Sequence, residues 1–294
     1  MTNIRFNALI VPNNHASENI RHENVTLTRN NFPERCNWFS LRRFVLCKIL
    51  IMTKQYLYDT HIHTIETSPC GRIHAAETVD YYASQGYTGL VITDHLHQEF
   101  IDKVDAAHDW DHVVDMYLAG YRAAKQRGDE IGFDVIFGAE MRFVENNNDY
   151  LVYNIDEAWL RAHPYVICQT AREFFSKYRD EVLVIHAHPY RDGNLTVFED
   201  AVHGTELINT NPRHNNWPER ALELCRRHPE YYIQAGSDMH QIPDRCRAGI
   251  IIGHRVTDSF EYADLIRSRE YDLYAPDFPE YVEAYRGIRE TLKH

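Results

Sequence analysis

Short apolar segments alternate with helix-like periods from residue 55 onward, and this alternation is the feature that most constrains the fold. Strands that alternate with helices pair in parallel, because each crossover lays a helix against the sheet. About 240 residues with some seven strands fit one barrel better than two domains. The sequence therefore predicts an α/β barrel in a single domain.

The predicted elements follow from apolar runs for strands and from 3.6-residue periods for helices. The predicted strands are residues 56–63, 89–94, 134–143, 149–155, 182–188, 206–209, 232–236 and 249–252. The predicted helices are residues 75–85, 110–127, 156–163, 170–178, 218–227, 259–269 and 279–293.

Histidine and carboxylate side chains stand at the carboxyl ends of six predicted strands. They lie in the segments DTHIHT (59–64), ITDH (92–95), GAE (138–140), HAHP (186–189), ELINTN (206–211) and GSDMH (236–240). Strand side chains alternate between two faces, so Asp59, His61 and His63 share one face. His186 and His188 share a face for the same reason.

The carboxyl ends of all strands in an α/β barrel meet at one rim, where active sites form. A single H-x-H or D-x-H pair is weak evidence for a site, but five such signals in register with strand ends are not independent accidents. Nitrogen and oxygen ligands of this kind suit zinc, manganese or iron, and they are too many for one tetrahedral ion. The sequence therefore predicts a cluster of two or three divalent ions.

The order of the motifs H-x-H, T-D-H, G-x-E, x-H-P and G-S-D-x-H resembles the PHP (polymerase and histidinol phosphatase) superfamily of metal-dependent phosphoesterases. The resemblance runs from about Tyr56 to His240 and is nearest to the branch with SPCG after the first motif, here residues 68–71. It implies a distorted seven-stranded (β/α) barrel, TIM-like in plan. It also implies hydrolysis of phosphate esters by a metal-activated water that attacks phosphorus.

The same resemblance implies a ligand set. His61 and His63 would hold one metal together with Glu140 and Asp238. Glu140 would bridge to a second metal that also takes His188.

The resemblance assigns a third metal to His95 and His240, and there the sequence departs from the fullest family pattern. Members with three metals often carry another histidine after H-x-H, where this chain has Cys70. A Cys70 thiolate would suit zinc, but the segment around Cys70 also fits a turn without a metal. A further histidine is missing from the strand DYLVYNI (149–155), and His186 is a candidate to compensate.

Three further residues, Asp94, Arg142 and Arg191, are predicted to act beside the metals, and three others are weaker candidates. Asp94 is predicted to hold an imidazole in its tautomer, and Asp59 could do the same or bind metal weakly. Arg142 and Arg191 are each predicted to bind phosphate oxygens through two parallel hydrogen bonds, and Arg213 is a weaker candidate for the same role. His97 could support His95 from two residues away.

Several functions stay open at this stage. The leading one is hydrolysis of a small phosphomonoester or phosphodiester, with a nucleotide as one possible substrate. Amidohydrolase chemistry is disfavoured, because no predicted strand ends in the metal-bridging lysine those barrels use, and Glu140 occupies such a position. An oligonucleotide exonuclease and a non-catalytic, metal-stabilised module are the remaining alternatives.

The charge and the cysteine content restrict which partners and which cellular compartment the sequence predicts. The net charge is −12, and residues 52–294 carry 24 basic against 40 acidic side chains, which disfavours long nucleic acids. The six cysteines are scattered, and no apolar stretch is long enough to span a membrane, so the sequence predicts a cytoplasmic protein without a membrane partner. Residues 1–51, with seven basic and three acidic residues, are predicted to be a poorly ordered or spurious extension before a domain of residues 52–294.

Overall fold

The structure, a computed structural model, describes residues 5–9, 22–26, 54–145, 147–194, 197–244 and 247–292. The chain divides into two units, residues 1–53 and 54–294. In the first unit, strands β1 (Arg5–Leu9) and β2 (His22–Thr26) pair in antiparallel fashion. The other residues of the predicted 1–51 extension lie outside the described residues.

The second unit contains two sheets. Its strands are β3 (Tyr56–Ile62), β4 (Gly89–Ile92), β5 (His95–Leu96), β6 (Asp134–Phe137), β7 (Ala139–Arg142), β8 (Asp149–Tyr153), β9 (Leu183–His186), β10 (Gly204–Asn209), β11 (Tyr232–Gly236), β12 (Gly249–Ile252) and β13 (Tyr271–Tyr274). One sheet has the order β11-β10-β9-β8-β7-β5, and the other has the order β13-β12-β3-β4-β6.

Among the described residues, α-helices lie in half of the connections between consecutive strands of this unit, and one more follows β13. They are α1 (Ala75–Ser84), α2 (Gln98–Val104), α3 (Trp110–Tyr117), α4 (Ala119–Ile131), α5 (Glu157–Ala162), α6 (Ala171–Tyr178), α7 (Pro218–Arg227), α8 (Ser259–Ser268) and α9 (Pro279–Thr291). Among the described residues, no helix is both long and apolar enough to cross a membrane.

Two predicted elements are divided in the structure. The predicted helix 110–127 breaks between α3 and α4, because the Thr67 hydroxyl inserts there: it donates to the Tyr117 carbonyl at 3.0 Å and accepts from the Gly120 amide at 3.1 Å. The predicted strand 134–143 is β6 and β7, which lie in different sheets on either side of Gly138. Strands β1, β2, β5 and β13 and helix α2 were not predicted.

The prediction that all strands pair in parallel is wrong for two of them. Strand β8 is antiparallel to both β7 and β9, and β12 is antiparallel to both β3 and β13. Each follows a connection without a crossover helix, which permits antiparallel pairing. The two sheets approach where the Asp238 amide donates to the His61 carbonyl at 2.9 Å and the His63 amide donates to the Met239 carbonyl at 3.1 Å. A single closed seven-stranded barrel stays a prediction.

Buried apolar side chains fill the space between the sheets and their helices. Leu90 and Ile92 of β4 pack with Val79 and Tyr82 of α1, and a larger cluster includes Leu151 and its neighbours in β8. Burial on both faces explains the near-continuous apolar sequence of β4 and β9. The carboxyl ends of β3, β7, β9 and β11 come together above this core.

Candidate metal centre

The two histidines of DTHIHT converge at the end of β3. His61 and His63 are fully buried, and their Nε2 atoms lie 3.0 Å apart. The alternation of strand side chains puts both rings on one face, as the sequence predicts.

Glu140 and Asp238 close around this histidine pair. Glu140 Oε1 lies 3.3 Å from His61 Nε2, and Glu140 Oε2 lies 3.3 Å from His63 Nε2. Asp238 Oδ1 lies 3.5 Å from His61 Nε2 and 3.1 Å from His63 Nε2. Ligands about 2.1 Å from a tetrahedral ion lie about 3.4 Å from one another, so these separations fit a shared ion.

Two of the converging carboxylate oxygens have no hydrogen bond from any described residue. They are the buried atoms Glu140 Oε2 and Asp238 Oδ1. A buried acceptor without a donor is costly, and a cation between the ligands removes that cost. The donor set therefore fits a divalent metal.

A second donor group forms on the other side of Glu140. His188 Nε2 lies 3.0 Å from Glu140 Oε1 and 3.9 Å from Asp149 Oδ2. Asp149 Oδ1 in turn lies 3.2 Å from His97 Nε2. Glu140, Asp149 and His188 are close enough to bind one ion.

The sequence analysis did not predict Asp149 as a site residue. Asp149 begins β8, and because β8 runs antiparallel to its neighbours, its first residue lies where the carboxyl ends of the parallel strands lie. A search restricted to carboxyl ends misses such a residue. The missing histidine of DYLVYNI thus has a carboxylate near its expected place.

His95 and His240 come together with Cys70 at a third place. His95 Nε2 lies 3.1 Å from Cys70 Sγ, and His95 Nδ1 lies 2.6 Å from Glu140 Oε2. The His240 Nδ1–H donates to the Asp238 carbonyl at 2.8 Å. His63, His95 and His240 are close enough to bind one ion.

Glu206 orients His61 without being one of the candidate metal ligands. The sequence analysis listed Glu206 near a strand end but did not predict this role. His61 Nδ1 donates to Glu206 Oε1 at 3.0 Å, and the His188 amide donates to Glu206 Oε2 at 2.7 Å. Asn209 Nδ2 donates to the same oxygen at 3.0 Å. A carboxylate on Nδ1 leaves the Nε2 of His61 directed at the metal position.

Ser68 orients His63 in the way that Glu206 orients His61, and Asp94 in turn orients the Ser68 hydroxyl. The Ser68 hydroxyl donates to Asp94 Oδ1 at 2.6 Å, so it accepts from His63 Nδ1 at 3.2 Å. This order of donors leaves the lone pair of His63 Nε2 directed at the metal position. Asp94 also accepts from the Thr64 amide at 2.7 Å and thereby fixes the loop.

Asp59 does not contact a metal-directed atom. Its Oδ1 accepts from the Ser237 amide at 3.0 Å and the His61 amide at 3.2 Å, and its Oδ2 accepts from the Tyr82 hydroxyl at 2.9 Å. Burial raises the pKa of Asp59 to about 6. Asp59 therefore links β3 to the GSDMH loop through hydrogen bonds. The sequence analysis had considered it as a weak metal ligand or as a partner of a histidine ligand.

The arginines that the sequence analysis assigned to phosphate already bind carboxylates. Arg191 Nη2 donates to Asp238 Oδ2 and, at 3.0 Å, to Asn209 Oδ1. Arg142 forms a two-point contact with Asp149 at 2.8 and 2.9 Å. Among the described residues, none accepts from the Nη1 of Arg142 or Arg191. Arg213, the weaker candidate, lies with its Nε 3.5 Å from Asp244 Oδ2.

His186 lies beside the ligand groups but in none of them. Its ring stacks on Tyr150, with centroids 5.2 Å apart, and its Nδ1 is buried without a hydrogen-bond partner among the described residues. Burial lowers the pKa of His186 to about 3. The structure gives His186 no part in compensating for the missing histidine.

Burial and charge shift the pKa values of the histidine pair in opposite directions. Burial lowers the pKa of His61, but the carboxylates around it, led by Glu206, raise it well above its usual value. The pKa of His63 lies well below its usual value, because burial and the neighbouring His240 disfavour its cation. A metal that binds both imidazoles must displace any proton from their Nε2 atoms.

Two ligand positions have left-handed backbone conformations. His188 has φ of 30° and Asp238 has φ of 53°. Residues other than glycine rarely adopt such values, which cost of order 1–2 kcal/mol. Strain of this kind is found at functional sites, where the surrounding structure holds a side chain in an imposed direction.

A cavity of about 800 Å³ opens onto the ligands. Its lining includes the polar and cationic residues Arg142, Asn147, Asn148, Arg191, Arg213 and His214. His95, His188 and His240 also line it, so a molecule in the cavity would meet the metal positions directly.

Solved structures share this arrangement of elements. A two-domain protein from Bacteroides vulgatus containing a predicted PHP-like metal-dependent phosphoesterase is 15% identical, with a TM-score of 0.53 over 76% of this chain. PsfC from Pseudomonas syringae is also 15% identical, with a TM-score of 0.54 over 81% of this chain and 99% of its own. The chain has the PHP-like fold.

The chain spans 65% of the length of the Bacteroides vulgatus protein. An amidohydrolase from Chromobacterium violaceum, solved with sulfate and no metal, is 14% identical over 74% of this chain, with a TM-score of 0.46. No family model matches the chain, and no curated protein matches its sequence.

Proposed function

We propose that this protein is a metal-dependent hydrolase of small phosphate esters. The observation that carries the proposal is the convergence of Glu140 and Asp238 on the histidine pair His61 and His63. Each carboxylate has oxygen atoms 3.1 to 3.5 Å from both imidazole Nε2 atoms. Support comes from the shared PHP-like fold, in which a Bacteroides vulgatus protein is named for a predicted phosphoesterase. A hydrolase with these ligands would bind two or three divalent ions, of zinc, manganese or iron.

Bound divalent ions would supply a water with a lowered pKa and neutralise charge on phosphoryl oxygens. The chain itself positions the ligands. Glu206 holds His61, Ser68 holds His63, and Arg191 holds Asp238 through its second carboxylate oxygen. Ligand atoms held by such partners keep their geometry when substrate arrives.

The substrate class follows from the cavity. Arg142 and Arg191 retain Nη1 donors, and Arg213 and His214 line the same space, so an anionic, hydrogen-bonding molecule suits it. The excess of acidic residues over the whole chain disfavours a long nucleic acid. We therefore propose a small phosphorylated substrate, such as a nucleotide or short oligonucleotide.

The proposal is tested by release of p-nitrophenol from p-nitrophenyl phosphate and bis(p-nitrophenyl) phosphate after loading the protein with zinc, manganese or iron. Metal-dependent turnover of either ester is expected, and Asp238→Asn should lower kcat/KM by about 10²-fold or more, because it weakens a shared ligand. Asp180→Asn, at an exposed aspartate, is the matched control and should keep full activity.

Two outcomes would contradict the proposal. Turnover that is unaffected by Asp238→Asn would assign hydrolysis to another site or to a contaminant. A protein that binds metal, unfolds when the metal is removed, and hydrolyses neither these esters nor short oligonucleotides would be a metal-stabilised module instead.

A further inference from the structure

Cys70 joins His95 and His240 in a donor group that differs chemically from the carboxylate-rich groups around Glu140. We call these three residues the thiol subsite. Cys70 Sγ lies 3.1 Å from His95 Nε2, and His240 lines the same cavity as the thiol. The thiol is partly exposed and lines the cavity, so an ion can reach it.

One histidine of the thiol subsite, His240, is oriented through its Nδ1 atom. The Nδ1–H of His240 donates to the Asp238 carbonyl at 2.8 Å. An acceptor on Nδ1 places the proton there and leaves Nε2 as the metal-binding nitrogen. The Nε2 of His95 is the atom that faces Cys70.

Backbone contacts hold the Cys70 loop against the loop of His240. The Arg72 amide donates to the His240 carbonyl at 2.8 Å, and the Gly71 amide donates to the Ser68 carbonyl at 3.0 Å. A Cβ at Gly71 would lie 2.5 Å from the Thr64 carbonyl oxygen, so only glycine permits this approach. The position of the thiol beside the two imidazoles is therefore fixed by the turn.

We propose that Cys70 binds, as a thiolate, the divalent ion held by His95 and His240. A sulfur and a nitrogen on one tetrahedral zinc lie about 3.5 Å apart, close to the 3.1 Å found here. The thiol proton leaves to solvent when the metal–sulfur bond forms. The inference rests on the proposed metal-dependent function. It adds that a sulfur ligand determines which ion this subsite prefers to bind.

A thiolate changes which ions the subsite prefers. Sulfur ligands favour zinc, cobalt and cadmium over manganese or magnesium, whereas the carboxylates of Glu140, Asp149 and Asp238 accept all of these. We expect the thiol subsite to bind cadmium more tightly than manganese. The groups around Glu140 should show a weaker preference.

The test is a titration of the full-length, chelator-treated protein with Co²⁺, followed by ultraviolet absorption and by metal content after desalting. The wild type should develop a thiolate-to-cobalt charge-transfer band, and Cys70→Ser should lose it and one equivalent of bound ion. Cys168→Ser, at an exposed cysteine whose thiol donates to Gln98 Oε1, is the matched control and should keep the band. We expect Cys70→Ser to weaken Cd²⁺ binding at this subsite by at least about tenfold.

Covalent labelling gives a second measurement that needs no variant. Iodoacetamide should modify Cys70 in the metal-free protein, and bound Cd²⁺ should protect it, while Cys168 reacts equally in both states. Peptide mass spectrometry reads the two sites separately.

The possible failures are distinguishable. If cobalt binds at two or three equivalents without a charge-transfer band, and Cd²⁺ leaves Cys70 reactive, the thiolate ligand is refuted while the proposed function stands. If no ion is retained by the wild type, both the thiolate ligand and the proposed metal-dependent function fail.

Discussion

Glu206 shows how much of the centre depends on residues that touch no metal. It binds His61 Nδ1 and the His188 amide at once, and so links ligands of two donor groups. It is buried in the middle of β10, where a carboxylate needs such donors to be stable.

Replacing Glu206 by glutamine should weaken metal binding without unfolding the protein. The amide keeps the shape of the side chain but loses the negative charge that favours the His61 Nδ1–H, so we expect a 10- to 100-fold loss of metal affinity. Competition with a chromophoric chelator measures the change. Glu223→Gln, on the exposed face of α7, should leave affinity unaltered; equal affinity in the two variants would contradict the role given to Glu206.

His186 is buried with a low pKa, and its effect on stability depends on pH. The unfolded chain protonates this histidine below about pH 6.5, while the folded chain stays neutral until about pH 3. The contribution is therefore full above pH 6.5 and is lost as pH falls, by about 1.4 kcal/mol per pH unit.

Replacing His186 by leucine should remove this dependence. Relative to the variant, the metal-free wild type should lose about 2 kcal/mol of unfolding free energy between pH 7 and pH 5. Urea unfolding at the two pH values measures the difference. A constant difference between wild type and variant would show that His186 is not protonated on unfolding in this range.

At the scale of elements, the position of the loop of residues 64–71 depends on the break between helices α3 and α4. Thr67 enters the break between α3 and α4, and this brings Gly120 against Thr64 and Asp94. A Cβ on Gly120 would overlap the Thr64 hydroxyl and lie 2.7 Å from Asp94 Oδ2. The loop that carries Ser68 and Cys70 is thus packed on the first turn of α4.

Two glycine-to-alanine substitutions in helices should have opposite effects. Gly120→Ala should destabilise the fold by about 1–3 kcal/mol and weaken metal binding, because it displaces Thr64 and Asp94. Gly287→Ala, in α9 with open space around it, should stabilise the fold by about 0.5–1 kcal/mol through helix propensity. Urea unfolding measures both, and a stabilising Gly120→Ala would contradict the packing described here.

The sequence predicted the strands that end at the ligands better than it predicted their pairing. The alternation in DTHIHT is a local property, and it placed His61 and His63 on one face. Asp149 was missed because its position depends on the antiparallel direction of β8, which no local pattern encodes. The helix break at Leu118 was missed for a similar reason, because Thr67, far away in sequence, causes it.

At the scale of the whole molecule, the metal positions join the two sheets. His61 and His63 come from β3 of one sheet, whereas Glu140 comes from β7 and His188 follows β9 of the other. The sequence predicted this meeting at a common rim, but as one continuous barrel. His61 of one sheet lies 3.3 Å from Glu140 of the other at this rim, and a bound ion would link the two sheets there.

Metal addition should therefore raise thermal stability. An ion that binds only the folded state at a hundred times its Kd adds about 2.7 kcal/mol, which corresponds to a rise in Tm of roughly 5–10 °C for a unit of this size. Calorimetry of chelator-treated protein with and without Zn²⁺ measures the shift. A Tm that does not change on adding zinc, manganese or iron would contradict a site bridging the sheets.

The most direct test of the central claim is the metal content per chain, measured by elemental mass spectrometry on wild type and Asp238→Ala. The account predicts two or three equivalents in the wild type and a lower value in the variant, because Asp238 Oδ1 lies 3.1 Å from His63 Nε2 at the shared position. A value near zero in the wild type, after growth with zinc, manganese and iron, would contradict it.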